Sequence, residues 1–159
     1  MAVPTIPPGY HTVTPYLIIK GAAAALDFYK KAFGAVEKMR MPMPDGRVGH
    51  AEITVGDSHV MLADEFPEMD ALSPQSRGGS PVGLMIYVED VDAAFKKAVA
   101  AGARADMPPA DMFWGDRFAK VTDPFGHGWS LATHVEDVSA EECARRGAEF
   151  FAGMGKTPA

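Results

Sequence analysis

The chain repeats one order of elements. Thr14-Pro-Tyr-Leu-Ile-Ile-Lys-Gly21 leads into an alanine-rich run through Leu26-Asp27-Phe28-Tyr29-Lys30-Lys31-Ala32-Phe33 that stops at Gly34. Gly83-Leu-Met-Ile-Tyr-Val-Glu-Asp90 leads into Ala94-Phe95-Lys96-Lys97-Ala98 and stops at Gly102. Three strand-like stretches follow each opening, with turns at Val55-Gly56-Asp57-Ser58 in the first half and Thr122-Asp123-Pro124-Phe125-Gly126 in the second. The pattern is βαβββ, present twice. Each copy makes a half-barrel too small to bury its own apolar surface, so the two must pack together, and a concave cavity walled by both halves is expected. The fold class is therefore α+β with duplicated βαβββ modules. Residues 12–65 form the first module, 66–81 a linker, 82–135 the second module and 138–151 a C-terminal helix.

Local signals place the elements. Pro4, Pro7, Pro8 and Gly9 make residues 1–10 an extended arm. A first strand is expected from Thr12 to Lys20. Ala25, Phe28, Tyr29, Ala32 and Phe33 fall on one helical face, and Gly34 supplies the C-terminal stop. From Arg47 to Val55 the residues alternate, with Gly49, Ala51, Ile53 and Val55 against Val48, His50, Glu52 and Thr54. Glu89-Asp90 places acidic charge at the start of the second helix. Pro108-Pro109 reads as a loop before strands near 116–121 and 127–134. Ser139 with Glu142 has the spacing of a capping box for the last helix.

With 159 residues, 47% of them hydrophobic, the chain can bury a full core. A formal charge of −6 with no basic stripe argues against nucleic acid as a partner. No apolar run approaches the length of a membrane span, no leader pattern opens the chain, and the lone Cys143 has no disulfide partner. A cytoplasmic protein with no membrane partner is expected, with Cys143 packed on an amphipathic helix.

Several of these residues together resemble a known family. Thr14-Pro15-Tyr16-Leu17, Ala25-Leu26-Asp27-Phe28-Tyr29, Phe33-Gly34, His50-Ala51-Glu52, Trp114-Gly115-Asp116-Arg117 and Asp123-Pro124-Phe125-Gly126-His127-Gly128-Trp129-Ser130 are similar to the vicinal-oxygen-chelate, or glyoxalase/bleomycin-resistance/dioxygenase, superfamily, and within it to the PhnB-like group. The resemblance implies a glyoxalase-like pair of half-barrels, and a homodimer in which two chains complete each cavity. It also implies a divalent metal held by side chains from the first and last strands of each module, acting as a Lewis acid on substrate oxygens. Ungapped alignment puts those positions at Thr14, Met61, Gly83 and Ser130, a poor set of ligands for a hard cation. The resemblance does not name a reaction, because fold and chemistry are separable.

The polar residues left on the expected inner surface are the candidates for chemistry. Alternation sends Ala51 and Ile53 toward the helix, so His50 and Glu52 project together into the cavity as the candidate catalytic pair. With His59 they make an alternative metal site of two imidazoles and a carboxylate, suited to Zn or Fe; without metal, the His/Glu pair is able to move a proton. Two such residues at i, i+2 also fit an ordinary hydrogen-bonded sheet face. Tyr16, Met61, Met85, Tyr87 and Phe118 are expected to line the pocket beside His59. Trp114 and Arg117 are expected at its mouth to hold a planar or anionic ligand, unless Asp116 and Arg117 simply pair with each other or with the neighbouring strand. His127 is expected to pack structurally, His11 and His134 carry no further signal, and Asp64-Glu65 and Glu136-Asp137 read as solvated edges or helix-start charges.

Three functions stay open. One is a small-molecule-binding protein or enzyme of the PhnB-like type without the standard metal and with no cofactor. Another is a lyase, isomerase or oxygenase using a divalent metal at the relocated His50, Glu52, His59 site. The third is a non-catalytic protein that sequesters a drug-like compound. A methyltransferase is discounted, since no glycine-rich nucleotide loop follows a strand and opens a helix.

Overall fold

The computed structural model describes residues 3–154. The order of elements is β1 (Tyr16–Ile19), α1 (Ala22–Phe33), β2 (Val36–Pro42), β3 (Val48–Val55), β4 (Ser58–Asp64), a 3₁₀ turn (Pro67–Met69), α2 (Pro74–Arg77), β5 (Gly83–Tyr87), α3 (Val91–Ala101), β6 (Arg104–Asp111), β7 (Asp116–Thr122), β8 (Gly128–His134) and α4 (Ala140–Met154). Two four-stranded sheets form, ordered β1-β4-β3-β2 and β5-β8-β7-β6, and neither closes into a barrel. In each, the first strand pairs parallel to the last and the other pairs are antiparallel. The duplication legible in the sequence is thus a duplication of topology.

Helices α1 and α3 each lie on one face of their own sheet and pack against each other, so both modules share one core. Ile19, Leu26, Tyr29, Ile53 and Leu62 of the first module are fully enclosed, and Trp129 and Val121 of the second join the same cluster. The aromatic rings of Tyr29 and Phe33 on α1 meet Trp129 on β8, and Phe28 meets Phe125. A buried carboxylate locks this junction. Asp123 accepts hydrogen bonds from the Tyr29 hydroxyl (2.8 Å), the Trp129 indole (2.9 Å) and the backbone N–H groups of Phe125 and His127. His127 packs structurally, as expected, with its Nε2 3.1 Å from the Ile18 carbonyl.

Three local expectations need correction. The first strand begins at Tyr16 rather than Thr12, because Pro15 ends the ladder on its N-terminal side; its carbonyl still accepts from Met61 N–H. Pro108 and Pro109 are inside β6, not in a loop. They are tolerated because β6 is the sheet's edge and its register slips between Met107 and Ala110. Asp64 is buried rather than solvated: one oxygen receives the N–H groups of Gly21 and Ala22 at the start of α1, and the other receives Val48 N–H. It serves as a helix cap delivered from a distant strand, which is why Gly21 can precede α1 without a capping side chain.

The linker contains the 3₁₀ turn and α2. At the C-terminus, Ser139 Oγ accepts from Glu142 N–H as the capping-box spacing predicts, but the Glu142 carboxylate turns to Arg145 and Arg146, which drive it down to about 2. Gly147 lets α4 approach Phe113, against which Phe150 and Phe151 also pack. Among the described residues, no helix is long and apolar enough to cross a membrane.

Candidate functional site

The helix-covered face of each sheet is core, and the candidate polar residues lie on the opposite faces. On the first sheet, direct register pairing puts Tyr16 across from Met61, Met61 across from Glu52, and His59 across from Thr54. Paired residues point to the same side, so these side chains share the uncovered face with His50, two positions before Glu52. The burial alternation of β3, with Ala51 and Ile53 fully enclosed and His50 and Glu52 half-buried, follows the period expected from sequence.

These polar side chains form a connected chain. Tyr16 OH lies 2.9 Å from His50 Nδ1, and His50 Nε2 lies 3.1 Å from Glu52 Oε1. The second carboxylate oxygen of Glu52 accepts from the hydroxyl of Tyr10, which the N-terminal arm lays across the face. The Tyr10 ring stacks on His59, centroids 4.1 Å apart and planes 24° apart. Hydrogen bonds from Tyr10 first and His50 second hold the Glu52 carboxyl below its usual range. The same carboxylate raises the Tyr10 hydroxyl, while Tyr16 is raised by burial first and the Glu52 charge second. A carboxylate kept ionised between an imidazole and a phenolic donor is an acceptor for hydroxyl or N–H groups, and the adjacent imidazole gives it a proton-transfer partner.

The His50, Glu52, His59 trio does not assemble as a ligand set. His59 is turned to stack with Tyr10, and among the described residues no group of three or more His, Cys, Asp or Glu side chains is arranged to hold a metal ion. The four standard positions also sit differently than the alignment implies. Thr14 precedes β1, with its hydroxyl donating to the His11 carbonyl, and Tyr16 takes the place across from Met61. Met85, rather than Gly83, pairs with Ser130. A methionine, a glycine and two hydroxyl residues do not make a donor set for a hard divalent ion.

The second sheet presents a different hub. Buried Asp116 accepts from Tyr87 OH (3.2 Å) and Trp114 Nε1 (3.1 Å), and bonds His134 Nδ1 at 2.8 Å; His134 Nε2 reaches Asp137 at 3.0 Å. Asp137 first and Asp116 second raise the His134 imidazole above its usual value. Phe118 packs edge-on to Trp114 on this face. Arg117 points the other way, toward α3, rather than to the face that carries Trp114 and Asp116. Its guanidinium forks onto Asp92 of α3 at 2.6 and 2.9 Å and reaches Asp111 at 3.0 Å, because odd and even positions of β7 face opposite sides. It does not pair with Asp116. Glu136 and Asp137 are likewise engaged, by Arg146 and His134.

A cleft of about 800 Å³ lies between the modules, lined on one side by Thr14, Pro15 and the turn from Val55 to Val60 and on the other by β5. His59, Met85 and Tyr87 border it, whereas His50 and Glu52 lie on the open face beyond His59. Three residues of these clusters escaped the sequence reading. Tyr10 had no local signal, sitting in a proline-rich arm. Asp116 has no local partner in sequence beyond Arg117 and the neighbouring strand. His134 was detectable, since it shares strand parity with Ser130.

Sheet topology, modules and inward-facing polar strands define a duplicated βαβββ protein of the glyoxalase type. The chain belongs to the glyoxalase/bleomycin resistance protein/dioxygenase superfamily, whose family model matches residues 10–131. An uncharacterised protein of Mycobacterium bovis is 45% identical over 133 residues, covering 82% of this chain and 88% of that one. A solved gene product of Arabidopsis thaliana superposes with a TM-score of 0.64 at 30% identity, covering 77% of this chain and 98% of that one. A PhnB protein from Bacillus cereus, described as a putative 3-demethylubiquinone-9 3-methyltransferase, shares the fold with a TM-score of 0.60 at 20% identity, over 77% and 99% of the two chains.

Proposed function

We propose that this chain is a PhnB-like small-molecule-binding protein that anchors its ligand on the uncovered face of the first sheet through His50 and Glu52, without the superfamily's usual metal-ligand set. The observation that carries it is the hydrogen-bonded chain Tyr16–His50–Glu52, a polar array with Met39, Met41 and Met61 beside it on the same face. A few convergent polar groups in an apolar concave surround are the usual composition of a ligand site. Methionines adapt to ligand shape and supply contact area.

A homodimer belongs to the same proposal. The faces leave Tyr16, Met41, Met85 and Tyr87 exposed in a single chain, and a second copy set against them would wall the cavity. Light scattering at micromolar concentration gives twice the chain mass if this holds; a monomer mass confines the site to one chain. For the ligand itself, a small-molecule library is screened by thermal shift against the wild type and a His50→Ala/Glu52→Ala variant. Compounds that stabilise only the wild type support the site. If every stabilising compound acts equally on both proteins, the anchor is elsewhere and the proposal fails.

A further inference from the structure

The arm that crosses the site carries information about what the site takes. We infer that the ligand is an aryl hydroxyl, and that Tyr10 is an internal stand-in for it which the ligand displaces; the inference rests on the binding function proposed above.

Tyr10 occupies its place as a ligand would. The arm before Pro15 belongs to no helix or strand, and most of residues 3–13 are exposed. Its own hydrogen bonds are local: Tyr10 N–H to the Pro7 carbonyl, and the Thr14 hydroxyl to the His11 carbonyl. Among the described residues, the polar contact that ties it to the sheet is the Tyr10 hydroxyl donated to Glu52, and the ring contact is the stack on His59. The site therefore already selects a flat ring, which His59 receives face to face, with a hydroxyl donor at its rim, which Glu52 receives. A simple alcohol lacks the first feature and an unsubstituted arene the second.

Docking of the arm leaves one group unmet. His59 Nδ1 is buried with no hydrogen-bond partner, and Gly9 lies close enough that a Cβ there would stand 3.1 Å from the His59 ring. A buried nitrogen without a partner opposes the state that buries it. Lifting the arm returns that nitrogen to water or to a polar group of the incoming ligand. The positive φ of Gly9 (85°) and the two prolines before it shape the bend that carries Tyr10 onto the sheet. Its contacts make the arm an occupant able to exchange: it holds the site's shape and yields to a molecule with the same ring and hydroxyl.

The test uses 4-methylphenol, with toluene as its counterpart lacking the hydroxyl, titrated by NMR into the wild type, Tyr10→Ala and Glu52→Gln. If the arm is docked about nine-tenths of the time, its removal tightens 4-methylphenol about tenfold, since apparent affinity is reduced by the fraction of competent sites. In the wild type, saturating 4-methylphenol shifts the Tyr10 ring resonances toward solvent-exposed values. Glu52→Gln weakens 4-methylphenol, and toluene binds more weakly than 4-methylphenol throughout. Equal or weaker binding by Tyr10→Ala, with Glu52 still required, overturns the stand-in role while leaving the binding function intact. No binding of 4-methylphenol to wild type or Tyr10→Ala, or toluene binding as tightly, overturns the ligand class. The library screen against the His50/Glu52 variant tests the binding function separately.

Discussion

Removing the hydroxyl of Tyr29 tests whether the two modules are locked as one body. Tyr29 is fully enclosed, and its hydroxyl donates at 2.8 Å to Asp123, 94 residues away in the other module. Burial first, and the Asp123 charge second, push the hydroxyl well above its usual range, so it stays a donor at any ordinary pH. Tyr29→Phe keeps the ring contacts with Phe28, Phe33 and Trp129 and opens almost no cavity. What is lost is one hydrogen bond to a charged acceptor, worth about 1.5–3 kcal/mol, while Asp123 keeps its Trp129 and backbone donors. The expected cost is about 2 kcal/mol, or a fall in melting temperature of about 6 °C for a chain of this size. Tyr87→Phe is the control, because Tyr87 also donates to a buried aspartate, at 3.2 Å, but from an exposed position where water replaces the bond; its cost should stay below about 1 kcal/mol. Urea denaturation with a fixed m-value measures both. A Tyr29→Phe cost under about 0.5 kcal/mol, or no larger than that of Tyr87→Phe, would refute the claim that this contact fixes the modules.

Gly115→Ala should destabilise by more than about 2 kcal/mol, since positive φ strain alone is of order 1–3 kcal/mol and the new Cβ would stand 2.1 Å from the Glu136 carbonyl oxygen. Gly56→Ala, also at positive φ but with open space around it, should cost only about 1 kcal/mol by the same chemical denaturation; equal losses at both sites would contradict the close approach at Gly115. His134 is raised in the folded protein, so its contribution to stability is full below its unfolded value near pH 6.5 and fades as pH rises through the raised value. His134→Gln should therefore show a shallower decline of the urea midpoint as pH rises above about 6.5, and an NMR titration that finds His134 at or below the ordinary histidine value would sink that explanation.

Much of this was legible because strand periodicity is a steric rule. The alternation over Arg47 to Val55 assigns His50 and Glu52 to the open face, and the structure follows it. The same rule, applied to β7, would have sent Arg117 away from Asp116. Two adjacent residues on a strand cannot both face the cavity, and Asp92 on α3 is what receives the guanidinium. Asp64 shows the opposite situation. Its role depends on β4 lying beside β1 and β3, a long-range arrangement to which no local residue pattern refers. Pro108 and Pro109 look like loop punctuation until the strand order puts β6 at an edge, where an absent N–H is harmless. Tyr10 was hidden for a similar reason: an arm without periodicity has its position fixed only by what it lands on.

The duplicated frame explains why the two modules hold different chemistry on equivalent faces. Fold constraints act on the helix side, where both sheets need small or branched apolar residues beneath α1 and α3, and there the halves match: Ala51 and Ile53 have their counterparts in Ala119 and Val121. The open side carries no such packing requirement, so its residues are free to diverge. In the first module a carboxylate on β3 is bonded by an imidazole two positions away and by one phenol, Tyr10, from outside the strand. In the second, the carboxylate sits at the start of β7, buried, with an indole, a phenol and an imidazole from β8 around it. Glu52 is half-buried and one of its donors comes from an arm outside the sheets, whereas Asp116 is nearly enclosed and its donors Tyr87 and Trp114 stand on β5 and on the turn before β7. A group whose partners belong to the frame organises its surroundings; one that is less buried, with a partner outside the sheets, is the more accessible to a ligand. The difference in accessibility, more than in residue type, directs the search for binding to the first module.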